Sequence, residues 1–466
     1  MPPSTYIRTM SDNNWTAIIL AAGLGKRMRS RMPKALHAVA GRPMVRCVLD
    51  AVRNAFASTG HDARCVVVVG HGADKVRQAL GDEVEYAHQA DQLGTGHAVA
   101  QAQSIASTSD HVLVLNADVP LITSNTIADL LRRHVDKKAD MTFLTAIVDD
   151  AHGQGRIVRN DAGVLTGIVE EADADAATLA IHEVNAGVYT FRGEWLWPRL
   201  ARLQKSATGE YYLTDLVGIA VEEKANVIAH ATDDAAEAMG INDRIALAQA
   251  DAVARQRIRE RHMLAGVTLV DPATTYIDAG VEIGMDTIIH PGSFLLGRTV
   301  IGEDCVIGPT ARIVDSTLGA RCVIVSSTIE ESALADNVDV GPYSRLRSDS
   351  RIGEGSHIGN FAEVKNSRLG RNTKMGHFSY LGDAQVGDDV NIGAGTITCN
   401  FDGVRKQPTI IGDGAFIGSD TMLIAPVEVG ARSQTGAGSI INHDVPPDKL
   451  AVGAPARIRQ KKEKKS

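Results

Sequence analysis

The sequence predicts two units of different class: an α/β unit with a mostly parallel sheet over residues 1–244 and a parallel β-helix over residues 266–466, joined by one helix over residues 245–265. Three observations carry this reading. Short apolar runs alternate with helix-patterned stretches across residues 16–120. Aliphatic residues then recur at every sixth position from Ile283 to Ile313. Glycine is divided unevenly, with 18 of 44 in residues 1–264 and 26 in the shorter remainder.

A chain of 466 residues is about three times a typical single-domain length, so several folding units are expected. Its 44% apolar and 22% charged residues suit packed cores and exclude a disordered polymer. A net charge of −8 argues against nucleic acid as the main partner. The basic tail Lys461, Lys462, Lys464 and Lys465 reads as a solvated end. The five cysteines are scattered without a CxxC pair, which fits neither a disulfide framework nor a zinc site and points to a reducing, cytoplasmic setting. No run of eighteen apolar residues suggests a membrane span, and the polar first fifteen residues do not form a signal peptide.

In the first unit, residues 17–22, 65–69 and 111–115 are short and apolar, as strands buried on both faces are; 43–56 and 73–80 carry helical patterns between them. Ligands of such sheets bind beyond the carboxyl ends of the strands. There the first strand leads into Leu20-Ala-Ala-Gly-Leu-Gly-Lys-Arg-Met28, small residues whose N–H groups can cradle phosphate. Lys26, Arg27, Arg29, Arg31 and Lys34 follow. Neither the dinucleotide G-x-G-x-x-G nor the Walker spacing is present, so the glycines and cations favour a nucleoside triphosphate or another polyphosphate. Asp118 lies after another strand in Asn116-Ala-Asp-Val-Pro120, suited to hold Mg²⁺ or simply to close a turn. The loop Gln89–His97 follows the short strand 85–87, and its amides suit a base edge or ribose as well as a plain polar loop.

Taken in order, Leu20-Ala-Ala-Gly-x-Gly-x-Arg-Met with Pro33-Lys34, Gln89-x-x-Gln-Leu-Gly-Thr-Gly-His97 and Ala117-Asp-Val-Pro-Leu121 resemble the sugar-nucleotide pyrophosphorylases. Residues 153–157, 167–170, 183–187, 209–215 and 240–244 extend the resemblance to bacterial bifunctional enzymes. In these an N-acetylglucosamine-1-phosphate uridyltransferase is joined to a glucosamine-1-phosphate acetyltransferase. The resemblance implies a Rossmann-like nucleotidyltransferase unit. It places Leu20, Ala21, Ala22, Gly23, Gln89, Gly94, Thr95, Asn116 and Ala117 around the uridine nucleotide, with Arg27 and Lys34 on its phosphates. Gly155, Glu170 and Asn185 would contact the sugar, and Asp118 with Asn242 would hold Mg²⁺. Singly, Glu170 also reads as a surface charge, Asn185 as a turn residue and Asn242 as a helix N-cap. The chain departs from the family pattern at Asn116-Ala117, where many relatives have Tyr-Gly, and at Ala186, which replaces a Thr.

Residues 243–265 read as one alanine-rich helix ending at Gly266. After it the six-residue period returns at Ile352, Ile358 and Val364, at Leu369, Met375 and Leu381, at Val386 and Ile392, and from Ile411 to Val429. Three hexapeptides make one triangular coil with the aliphatics stacked inside. The repeat is read as interrupted at 341–347 and 399–408, where loops would protrude and carry function. His377 stands where most coils have a small residue, with Arg347, Lys365, Tyr380 and Asn391 nearby in coil arithmetic.

These segments resemble hexapeptide acyltransferases: Gly359-Asn-Phe-x-Glu-x-Lys365, Gly376-His-x-x-Tyr380 and Asn391-Ile-Gly-Ala-Gly-Thr-Ile-Thr-Cys-Asn400. The resemblance implies a left-handed coil, against the usual crossover hand, and homotrimers with active sites between neighbouring coils. It puts Arg347 and Lys365 on the sugar phosphate, His377 as base, and Tyr380 and Asn391 on the amino sugar. Ala394, Asn400, Phe401, Ser419 and Ala437 would line an acetyl-CoA channel. Phe401 replaces a common Tyr, and Ala454 stands where some relatives place an arginine for coenzyme A phosphate.

The reading is therefore a two-site cytoplasmic enzyme using acetyl-CoA, UTP and Mg²⁺, without nucleic-acid or membrane partners. Two rivals are a nucleotidyltransferase whose β-helix only assembles the oligomer and a regulatory subunit of the same domain order. The His377 constellation argues against the first. The Arg27, Lys34 and Asp118 set argues against the second.

Overall fold

The computed structural model describes residues 14–460 and divides into two compact units, one through Ala254 and one from Arg255. The lysine tail lies outside the described residues. No helix among the described residues is long and apolar enough to cross a membrane.

The first unit is built on a nine-stranded sheet. Its strands are β1 (Trp15–Ala21), β2 (Ala63–Val69), β3 (Glu85–His88), β4 (His111–Asn116), β5 (Met141–Ile147), β6 (Arg156–Arg159), β7 (Leu165–Val169), β8 (Glu183–Arg192) and β9 (Val227–Ala231). The main path runs β9-β5-β8-β4-β1-β2-β3, with β6 attached to β8 and β7 to β6. β1 pairs in parallel with β2 and β4, as the strand–helix alternation predicts. β8 runs antiparallel to β4 and β5, so the sheet is mixed.

Period-two alternation sorts the strand residues onto two cores. Trp15, Ala17, Ile19, Val67, Leu113 and Leu115 pack on one face with α1 (Met44–Thr59), α2 (Ala73–Leu80) and α4 (Ser124–Asp136). Ile18, Val66, Val68, Val112 and Val114 pack on the other with α3 (Thr95–Gln101), α5 (Gly193–Leu200) and α6 (Asp215–Glu222). Burial on both faces is why these strands read as unbroken apolar runs. α1 ends at Gly60, whose φ of 71° lets its N–H close the last turn.

At the amino ends of β1 and β4 lies a histidine cluster. His134 of α4 bonds His111 Nδ1 through Nε2 at 3.2 Å and Thr142 Oγ1 through Nδ1 at 3.0 Å. Trp15 stacks on His111 with ring centroids 4.6 Å apart, and His61 packs on the same indole. Burial, with His111 and Arg192 adding to it, pushes the His134 pKa from 6.5 down to about 3, and burial lowers His111 as well. Asp110 beside His111 works in the opposite sense.

Because the folded value lies below the unfolded one, the unfolded chain takes up the proton first. Stability is complete above about pH 6.5 and falls as pH drops toward 3, by up to about 1.4 kcal/mol per pH unit for each such histidine. The melting transition of this unit is expected to fall between pH 7.5 and 5.5, and less steeply in His134→Gln.

α7 (Arg244–Leu264) spans the division between the units. Its cap is Asp243, whose Oδ1 accepts from the N–H groups of Ile245 and Ala246 at 2.9 Å. The capping role considered for Asn242 therefore belongs to its neighbour.

The second unit is a parallel β-helix of three sheets. Sheet I holds twelve strands from Thr268–Leu269 onward, sheet II ten from Tyr276–Ile277, and sheet III nine from Glu282–Ile283. Each coil contributes one short strand to each sheet, and Ile289, Leu295, Ile301, Ile307 and Ile313 are buried inside. One sequence expectation fails. The segment 341–347 is not an interruption: buried Val340, Leu346 and Ile352 keep the six-residue step, and Arg345–Arg347 pairs in register with the next coil. Gly341, at φ +112°, turns an ordinary corner where a Cβ would lie 2.1 Å from Val325 O. The period instead shortens to five at Ile313–Leu318, Ile324–Ile329–Leu334, Val364–Leu369 and Leu381–Val386, where corners lose one residue. The loop 399–408 does protrude, folded back through a Phe401–Lys406 bridge.

Candidate functional site

In the first unit a cleft of about 450 Å³ opens at the carboxyl ends of β1 and β4. Its walls include Leu20, Ala21, Ala22, Gly23, Arg27, Lys34, Gln89, Gly94, Thr95, Asn116, Ala117, Asp118 and Asn242. Thirteen residues named from the sequence thus converge on one cavity. Gly23 faces open space, and a side chain there would project where no protein atom stands. Gly25 turns at φ +59°, where a Cβ would lie 2.7 Å from Lys34 Cβ. Its missing side chain lets the glycine-rich loop close against Lys34.

Lys34 is central. Its Nζ donates to Asp118 Oδ2 and, at 2.7 Å, to Asn242 Oδ1. The distant segment is brought in by the Ile241 N–H bond to Asp118 O at 2.8 Å. A carboxylate and an amide oxygen therefore aim at one positive centre, the donor chemistry of a hard divalent cation. Arg27 is exposed at the cleft and has no acidic partner among the described residues.

The Gln89–His97 loop is held from within. Buried Gln89 donates through Nε2 to Gly94 O at 3.1 Å and meets His97 Nδ1 at 3.0 Å. Thr95 Oγ1 accepts from Leu213 N at 3.0 Å, and Gly94 at φ +99° lies against Tyr211. These two side chains shape the loop, a role that its polar composition alone did not reveal. Gln92, the second glutamine of the Gln89–His97 motif, and Glu210 also line the cleft.

Gly155, Glu170 and Asn185 form a neighbouring cluster on β6–β8. The Asn185 N–H donates to Gly155 O at 2.9 Å, and a Cβ on Gly155 would lie 3.3 Å from Glu170 Oε2. Glu170 is no free surface charge. Burial raises its pKa, partly offset by the Thr214 hydroxyl bonding Oε1 at 2.9 Å. Asn185 does make a turn contact, accepting from Gly187 N at 3.1 Å, while its amide donates to Tyr189 Oη at 2.6 Å. Gly187 abuts Asn116, which links this cluster to the cleft.

In the β-helix, His377 is exposed at the corner between sheets I and II and meets Asn360 Oδ1 through Nδ1 at 3.4 Å. It is not packed inside the coil. The same corner, coil after coil, carries Ala394, Ser419 and Ala437, tied by Gly395 N to Phe378 O at 2.7 Å, Asp420 N to Ala394 O at 2.6 Å and Gly438 N to Ser419 O at 2.8 Å. Four residues named from the sequence thus form one column.

Across sheet II, at the far ends of its strands, Arg347 and Lys365 sit in register on successive coils. Arg347 donates to Glu363 Oε1 at 2.8 Å. Lys406, from the protruding loop, stands beside Lys365, and its charge together with that of Arg347 holds the Lys365 ammonium below the usual lysine range. Two ammonium groups and a guanidinium held together are set to receive an anion. Lys406 was missed because only the loop's fold-back brings it there.

Tyr380 stands in the same sheet with its hydroxyl over Gly382 beside the Asn400 amide. Asn400 is buried and donates to Asp383 at 2.5 Å, whereas Phe401 is 61% exposed on the loop. Asn391 belongs to sheet I, in register with Lys374, so one chain does not place it on the face that carries Tyr380.

A nucleotidyl transferase family model matches residues 16–250, and a bacterial transferase hexapeptide model of six repeats matches residues 408–443. Relatives named bifunctional protein GlmU align along nearly the whole chain. That of Heliobacterium modesticaldum is 49% identical over 439 residues, covering 94% of this chain and 95% of the relative. That of Fervidobacterium nodosum is 49% identical over 442 residues, 95% of each. The Enterococcus faecalis relative is 47% identical over 449 residues, 96% of each. The chain belongs to the bifunctional GlmU family. It is an enzyme with two transferase activities of UDP-N-acetylglucosamine biosynthesis: acetyl transfer from acetyl-CoA to glucosamine 1-phosphate, and uridylyl transfer from UTP to N-acetylglucosamine 1-phosphate.

Proposed function

We propose that each unit carries one site, uridylyl transfer in the cleft below β1 and β4 and acetyl transfer on sheet II and the His377 corner of the β-helix. The boundaries are a uridyltransferase domain at 1–244, a linker helix at 245–265 and an acetyltransferase domain at 266–466. The observation that carries the reading is the pairing of two cationic centres in one chain: Lys34 gripped by Asp118 and Asn242, and Lys365 crowded by Lys406 and Arg347.

In the first site the glycine-rich loop Leu20–Gly25 offers its backbone to the nucleotide, and Arg27 and Lys34 carry the phosphate charge. Gly155, Glu170 and Asn185 orient the sugar so that its phosphate oxygen attacks the α-phosphorus in line as the bond to the β-phosphate breaks and pyrophosphate leaves. The residues work by positioning and electrostatics. Asp118 and Asn242 fit a magnesium site by their oxygen donors; bound there, Mg²⁺ supplies charge neutralisation to the phosphates.

In the second site Arg347, Lys365 and Lys406 hold the sugar phosphate while Tyr380 and Asn391 contact the amino sugar. The His377 imidazole accepts the proton that the amine loses as nitrogen attacks the thioester carbon, and the thiolate of coenzyme A leaves. Ala394, Asn400, Phe401, Ser419 and Ala437 line the acetyl-CoA channel. The active form in this reading is a homotrimer, in which Asn391, on sheet I, meets the sheet II face of a neighbouring copy. The scattered free cysteines fit a cytoplasmic setting.

Incubating the protein with acetyl-CoA, glucosamine 1-phosphate, UTP and Mg²⁺ tests the assignment by product mass. Free coenzyme A, pyrophosphate and a UDP-linked N-acetylated sugar are expected. N-acetylglucosamine 1-phosphate accumulating without nucleotide sugar would refute it.

A further inference from the structure

A second cavity, of about 460 Å³, lies in the β-helix at the corner between sheets II and III. On its sheet III side Arg351, Arg368 and Gln385 stack in register on three successive coils. Its corner side carries Asp349, Asn366 and Asp383, all at positive φ, and Pro408 from the end of the protruding loop completes it. Asp383 also holds Asn400; Arg351, Arg368, Gln385 and Asp349 take no part in the sites described above.

The arginine pair is the unusual feature. Adjacent strands lie about 4.8 Å apart, and like charges directly opposite one another destabilise a sheet. Several other exposed arginines on the coils are met by acids, Arg345 by Glu330, Arg371 by Asp388 and Arg432 by Asp448. Arg351 and Arg368 have no carboxylate partner among the described residues although Asp349 and Asp383 line the same cavity. The Asp383 carboxylate is already taken, accepting from Asn366 at 2.6 Å and Asn400 at 2.5 Å. What remains is a double guanidinium grip at one end, an amide at Gln385 and a free carboxylate at Asp349.

We propose that this cavity binds a small hydroxyl-bearing phosphate monoester, its phosphate on Arg351 and Arg368 and its hydroxyls toward Asp349 and Gln385. Two guanidiniums on neighbouring strands match phosphate oxygens bidentately. A carboxylate in the same cavity accepts hydroxyl protons but repels a bare polyanion, which selects a sugar phosphate over inorganic phosphate.

Arginine labelling by phenylglyoxal on the full-length protein, read by peptide mass spectrometry with and without glucose 1-phosphate, tests this. Labelling of Arg351 and Arg368 is expected to slow several-fold in its presence, with Arg432 unaffected and inorganic phosphate protecting less. Arg368→Gln should abolish the protection of Arg351, and Arg368→Lys, which keeps the charge but not the fork, should weaken it. Equal labelling with and without the sugar phosphate, or unchanged protection of Arg351 in Arg368→Gln, would overturn the site. Equal protection by inorganic phosphate would overturn the monoester assignment. Occupancy of the acetyl-transfer site is read separately, at Arg347.

Discussion

Chelating divalent cations is expected to abolish uridylyl transfer and leave acetyl transfer nearly intact. The asymmetry follows from the donors. Asp118 and Asn242 present two oxygens to one positive centre at the floor of the nucleotide cleft, while the face carrying His377, Lys365 and Lys406 meets its anion with nitrogen cations. Asp118→Asn removes the charge but keeps the shape, so it should lower uridylyl transfer on the order of 10²-fold or more, as removal of one preorganised electrostatic group does. Acetyl transfer and the melting temperature of the second unit should not move. Equal loss of both activities on chelation, read from coenzyme A and pyrophosphate release in parallel assays, would refute the assignment of the metal to the first unit.

His377→Ala is expected to depress acetyl transfer by roughly 10²–10⁴-fold, the usual contribution of a general base. The attacking amine must lose a proton, and an imidazole nitrogen can accept it. The apparent affinity for glucosamine 1-phosphate should change little, because Arg347, Lys365 and Lys406 still grip the phosphate. The exposed position of His377, beside the Asn360 amide, means that its removal opens no cavity in the coil. Melting temperature should therefore be unchanged. A variant with normal acetyl transfer, or one that loses activity only in proportion to folded protein, would end the base assignment.

Much of the fold was legible because it rests on local periodicity. The alternation of β1, β2 and β4 is written as apolar runs, and the coil is written as aliphatics at sixfold spacing held inside by packing. What was not legible depends on partners far away in sequence. The antiparallel insertion of β8 between β4 and β5 leaves no trace in its own residues. The corner at Gly341-Pro342-Tyr343 looked like a break because proline and glycine punctuate, yet Val340 and Leu346 keep the step across it.

The same distinction holds for the sites. The glycine-rich loop and Lys34 are local, and the sequence shows them directly. That Asn242 meets Lys34 across 208 residues, leaving the helix cap to Asp243, required the folded chain. Lys406 joins Lys365 only through the fold-back of its loop. Gln89 and Thr95 hold their own loop together, a use that polar composition cannot separate from ligand contact.

The central claim is that two independent sites act in series, one in each unit. Mixing the Asp118→Asn and His377→Ala proteins tests it most directly. Given acetyl-CoA, glucosamine 1-phosphate, UTP and Mg²⁺, each variant alone should fail to make the nucleotide sugar. The mixture should make it, because the acetylated sugar phosphate diffuses from one protein to the other. A mixture no more active than its components, with both proteins folded, would contradict the account.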